Sequence, residues 1–124
     1  MVSLERYKLY PRIDYAETFY RKVEATTELE STGITIPDGE TVGIYRIRGN
    51  GCDPSAYVAL VWDHEGENER VFVSTKGDID TILDPTLEIN QLTGDGTTKL
   101  ILLLTNNNST ESPYIGGSFE LIKV

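Results

Sequence analysis

Cys52 and His64 are the only thiol and the only imidazole among the 124 residues. A thiol–imidazole catalytic pair needs sulfur and ring nitrogen within about 3 Å of each other. The two residues bracket the apolar run Ala56 to Trp62. If that run is a strand, the twelve positions between them extend over roughly 30–40 Å. No catalytic dyad is therefore expected: Cys52 reads as a loop cysteine and His64 as a hairpin-turn histidine. A single Cys also forms no internal disulfide, and a single His does not make the usual nitrogen-rich zinc or iron site.

Carboxylates offer the remaining chemistry. Asp78, Asp80 and Asp84 superficially follow a calcium loop. A helix–loop–helix site started at Asp78 would need glycine at its sixth position and glutamate at its twelfth, where this chain has Leu83 and Ile89. The segment 63–69 (DHEGENE) places an acid at every second position. Hard oxygen ligands so spaced could bind Ca²⁺ weakly, but the reading taken is a solvated hairpin tip whose charge keeps an edge from pairing. A glycosidase needs two carboxylates, and with 20 Asp and Glu in the chain a pair carries no information. Gly94-Asp95-Gly96 and Gly49-Asn50-Gly51 lack the following helix that a phosphate-cradling loop requires. The expectation is a non-enzyme with no metal and no cofactor.

Charge narrows the partners. The net charge is −9, which argues against nucleic acid, whose phosphates need a basic face. The charge is uneven: residues 1–22 hold five bases and three acids, residues 23–124 six bases and 17 acids. Four of the seven tyrosines, Tyr7, Tyr10, Tyr15 and Tyr20, fall in the basic start. Tyr and Arg are the residues enriched at interface hot spots. Arg6, Tyr7, Tyr10, Arg12 and Tyr15 are therefore the candidate interface residues, in an arm over residues 1–17 that would dock on an acidic neighbour such as a second copy of the chain. The competing reading is that Val2 to Tyr10 is simply the first or an edge strand. Charges and tyrosines stand in Met1 to Tyr10 where a secretion signal needs an apolar stretch, so the overlapping sequons at Asn107 and Asn108 read as a polar loop. The longest apolar runs, 56–62 and 100–104, are far shorter than the ~20 residues of a membrane helix.

The elements that must position these residues are short strands. From Phe19 the odd positions Phe19, Val23, Ala25 and Leu29 are apolar, broken by Arg21 and Thr27, and the even ones are polar through Glu30, a strand with one wet face. A helix competes over residues 14–30, where Asp14 and Glu17 resemble a capping box. The β-branched Val23, Thr26 and Thr27 favour strand. Pro37-Asp38-Gly39 is a turn, 42–48 a strand, 49–55 a loop and 56–62 a central strand apolar on both faces. Residues 70–75 return as a strand, 76–86 form a long connection, and 87–92 offer another strand. After the turn 93–96, the segments 98–105 and 118–124 are strands, with a bend at Gly116-Gly117. Eight or nine strands with frequent turns predict one all-β domain, a two-sheet antiparallel sandwich of the jelly-roll kind. An immunoglobulin-type sandwich is the alternative, although its Cys…Trp…Cys spacing is absent.

Several stretches together suggest a family: GIYRIRG at 43–49 followed by AYVALVW at 56–62, then GDGTTKLILLLTN at 94–106 and GGSFE at 116–120. With them the chain resembles the jelly-roll accessory proteins of tailed bacteriophages. The resemblance implies a capsid cement or decoration protein in the virion, with no active site, that oligomerises on the shell and contacts the major capsid protein or another virion component. A carbohydrate-binding sandwich module of a tail or adhesion protein is the alternative. Its mark would be two or more exposed coplanar aromatic rings for a glycan to stack on.

Overall fold

Alternating side chains become strands wherever one face can be covered, and in the computed structural model, which describes residues 12–50 and 54–124, ten strands form. They are β1 Tyr15–Lys22, β2 Glu28–Glu30, β3 Ile34–Thr35, β4 Thr41–Asn50, β5 Ala56–Trp62, β6 Arg70–Lys76, β7 Ile79–Ile82, β8 Gln91–Thr93, β9 Lys99–Asn106 and β10 Tyr114–Lys123. One sheet runs β1-β10-β4-β7 with β8 also on β4, and the other runs β2-β9-β5-β6 with β3 also on β9. Every pairing is antiparallel. Taking β2 with β3 as one position and β7 with β8 as another leaves eight positions, ordered 1-8-3-6 and 2-7-4-5. First pairs with last, second with seventh, third with sixth and fourth with fifth. This is a long antiparallel hairpin rolled into two sheets, the jelly-roll arrangement that sequence patterning anticipates.

The inward faces of both sheets supply the core. Phe119, Ile115 and Leu121 of β10 and Ile44 and Ile47 of β4 meet Val58 and Leu60 of β5 and Leu100, Leu102 and Leu104 of β9, all buried. Two buried polar residues are fully engaged. The Asn106 amide donates to the carbonyls of Val23 and Glu111, and its oxygen accepts the Asn108 N–H. Ser31 accepts the Leu102 N–H and donates to Glu17, whose other oxygen accepts the Gly33 N–H. Glu17, on the edge strand of the first sheet, thereby ties it to the second.

Several segments differ from expectation, each for a local reason. Residues 19–30 are not one strand. Thr26 turns the chain in the left-handed region (φ 58°), so that β1 joins the first sheet and β2 the second. The helical alternative over 14–30 is absent too, because Glu17 is spent on Ser31 and Gly33 rather than on a cap. Gly49 and Asn50 extend β4 instead of opening a loop, since Gly49 pairs with both Gly117 and Ile79. The connection 76–86 contains β7, which Asp80 inside it and its four-residue length hide from a hydropathy reading. Residues 88–90 form one turn of 3-10 helix before the short β8. Gly116 and Gly117 do not bend β10. A side chain at 116 would strike the Tyr20 ring, and one at 117 would strike Val58.

Candidate functional site

The outer face of the second sheet is concave and apolar. Ala59 and Val61 of β5 and Leu103 of β9 floor a depression of about 310 Å³, and Tyr57 and Val71 stand at its sides. Val71 is 52% exposed. This face results from runs apolar on both sides, Ala56–Trp62 and Leu100–Leu104. Their inward residues enter the core; of the outward ones Val61 and Ile101 are themselves buried, and the open apolar surface is left to Tyr57, Ala59, Val71 and Leu103.

One side of the depression is a built charged cluster. The turn joining β5 to β6 holds Asp63 and Glu65 at left-handed φ (55° and 63°). The Asp63 carboxylate accepts the Asn68 N–H and lies against Gly66, where a Cβ would overlap it. Glu69 folds back to accept the Glu65 N–H at 2.6 Å and meets His64 Nδ1 at 3.0 Å. The Glu65 amide, with a smaller contribution from His64, holds the Glu69 carboxyl below its ordinary pKa. His64 is thus not at a solvated tip. Its side chain is only 14% exposed, and its Nε2 lies 3.3 Å from Glu30 and 3.6 Å from Glu65. Ligand-type atoms of Glu28, His64 and Glu65 all fall within 4.8 Å of one another, a spacing that one divalent cation can bridge. Glu28 and Glu30 come from β2, whose pairing with β9 sets them beside Leu103 and Thr105.

The outer face of the first sheet is organised differently. Arg46 of β4 clamps Asp80 of β7 through Nε and Nη2. Arg48 lies 3.8 Å from Asp80 and 3.6 Å from Glu120. The clamp from Arg46 lowers the Asp80 pKa, and the same bond raises that of Arg46. Beside this network, a groove of about 330 Å³ is lined by Thr18, Tyr20, Arg48, Asn50, Ser118 and the Gly116-Gly117 backbone. Tyr20 and Tyr114, 50% and 58% exposed, stack at 5.5 Å with a 20° interplanar angle.

The candidate interface residues separate. Arg6, Tyr7 and Tyr10 lie outside the described residues, as does Cys52. Arg12 is 91% exposed and 3.5 Å from Asp14. Tyr15 is already in β1, half-buried against the core, and donates to Glu40 at 2.7 Å. That bond to Glu40 raises the Tyr15 pKa. Of the proposed arm, residues 15–17 therefore belong to the edge strand β1, which pairs with β10. Reading the sequence locally missed Glu28 and Glu30 as partners of His64, 34–36 positions away. The two consecutive wet-face glutamates of the 19–30 alternation were the only signal available. No helix among the described residues is long and apolar enough to cross a membrane. No family model matches the chain, and no curated protein matches its sequence.

Proposed function

We infer that this chain is a non-enzymatic structural component that works by interface burial, most specifically a cement or decoration protein on the shell of a tailed bacteriophage. The observation that carries the reading is the open apolar depression on the second sheet. Exposed apolar surface rimmed by polar groups is a feature of protein–protein contact sites, and this one lies on a strand face rather than a loop. Jelly rolls also build viral shell and lectin domains. The non-enzymatic part is supported by His64, whose surroundings are carboxylates rather than a nucleophile. The test is copurification with particles. High, symmetric copy number supports a cement role, a few copies per particle support a tail role, and absence from particles rejects both. Removing residues 1–11 should weaken assembly while the far-UV circular dichroism of the sandwich is unchanged.

A second reading is favoured by one observation: the exposed Tyr20–Tyr114 pair beside a groove lined by Arg48, Asn50 and hydroxyls. Aromatic faces flanked by hydrogen-bonding groups are what a sugar-binding module presents. Against it, the two rings stack on each other and Tyr20 lies over Gly116, so less ring face is free than in an open platform. A glycan array decides it, and a flat array removes this reading.

A further inference from the structure

We propose that His64, Glu28 and Glu65 form a site for one first-row divalent cation, with Zn²⁺ the best-suited ion, and that Glu69 orients the imidazole for it. The ligands come from two separate segments, the strand β2 and the β5–β6 turn, and the fold alone brings them together. Around Nε2 the spacing suits a metal better than a hydrogen bond. Nε2 makes no hydrogen bond among the described residues, yet it stands 3.3 Å from a Glu30 oxygen and 3.6 Å from a Glu65 oxygen. In a tetrahedral site with metal–ligand bonds of about 2.0–2.1 Å, neighbouring ligand atoms are about 3.3 Å apart. The second carboxylate of the site, Glu28, has its ligand atom within 4.8 Å of those of His64 and Glu65, and Glu30 stands outside that group as an ion-pair partner of the ring.

The other ring nitrogen supports the same assignment. A metal-binding histidine characteristically engages a carboxylate or carbonyl through its second nitrogen, which fixes tautomer and ring orientation. Glu69 is placed for that, 3.0 Å from Nδ1 and itself held by the Glu65 N–H. With Nδ1–H directed at Glu69, the Nε2 lone pair is left on the side of the Glu30 and Glu65 oxygens. The mixed nitrogen–oxygen set also selects the ion. Ca²⁺ and Mg²⁺ prefer all-oxygen shells, whereas imidazole suits first-row transition metals and zinc. This inference is independent of the virion reading, because it concerns a site within one chain.

The experiment is calorimetric titration of metal-stripped protein with Zn²⁺, Mn²⁺, Ca²⁺ or Mg²⁺ alone, in a Cys52→Ser background so that the thiol does not compete. Zn²⁺ should bind one per chain, and its addition should raise the thermal unfolding midpoint, as any ligand of the native state does. His64→Gln and Glu65→Gln should each weaken Zn²⁺ binding more than tenfold. Glu69→Gln should weaken it about 10- to 100-fold by freeing the ring. Asp80→Asn, a carboxylate removed from the opposite face, should leave it unchanged. Metal-free circular dichroism matching the parent shows that each variant folds. If Zn²⁺ fails to saturate the parent by about 1 mM, the proposal is wrong. It is also wrong if His64→Gln binds Zn²⁺ as the parent does, or if Ca²⁺ binds as tightly as Zn²⁺, since the carboxylates would then act as a general cation sink.

Discussion

The two outer faces of this sandwich are made from the same kind of alternating strand and end in opposite electrostatic states. On the first sheet, Arg46 and Arg48 interleave with Asp80 and Glu120 across three adjacent strands, so each charge meets its opposite. On the second, Glu28, Glu30, Glu65 and Glu69 surround the single imidazole of His64 beside an apolar floor. Two cations against two anions close a network, whereas four carboxylates around one imidazole leave excess negative charge whatever the state of the ring. Among the described residues these four charges of the first face are paired with one another. Among the same residues the second face has both apolar surface and excess negative charge to offer a partner or an ion.

The two sides of one sheet meet most sharply on β9, where neighbouring side chains point in opposite directions. Leu104 is fully buried between the sheets, while Leu103 floors the outer depression. Leu104→Ala should cost about 2–5 kcal/mol in denaturant unfolding, the usual range for a buried leucine that leaves a cavity. Leu103→Gln should cost less than about 1.5 kcal/mol yet reduce binding to particles in a pelleting assay. Equal stability losses at the two positions would show that the outer face is structural and not a contact surface.

A smaller effect is expected from the charge network. Arg46→Gln should lower the unfolding midpoint, and the difference from the parent should shrink in high salt, because these side chains are partly exposed and screened. It should also alter the acid limb. Arg46 lowers the Asp80 pKa, so the stability this carboxylate contributes is present above the ordinary Asp range. That contribution is lost as pH falls through the lowered value. Arg46→Gln should flatten that part of the stability–pH curve.

The slightest change, outside both faces, belongs to Asp95. Bonds from the Thr98 hydroxyl and the Thr98 and Thr97 amides bring its pKa from the usual 3.8 to about 2. The stability it contributes is therefore complete above about pH 4 and disappears as pH falls through about 2. Asp95→Asn should remove this acid-dependent component and leave binding by either face intact. A variant with the parent's acid limb would mean that the turn is not held by this carboxylate.

Much of the architecture was legible before the structure. The apolar runs at 42–48, 56–62 and 98–105, bounded by turn chemistry at Pro37-Asp38-Gly39 and 93–96, identify strands because short apolar runs between turns fit covered strands and glycine supplies positive φ at a turn. Gly39 and Gly96 do adopt it, at 79° and 78°. Short or interrupted elements were not legible. β7 is four residues with an aspartate inside it, β2 is three residues of which two are glutamates, and Gly116-Gly117 reads as a bend until Tyr20 and Val58 are seen to occupy the space of the missing side chains.

The all-β class, the alternating faces and the overall acidity follow from neighbours along the chain. Which strands share a sheet is a property of the folded chain. That choice set Arg46 against Asp80, 34 positions on, and Glu28 and Glu30 beside His64. Pairing across a sheet is set by how all the inward faces close one core, and no local stretch of sequence contains that information.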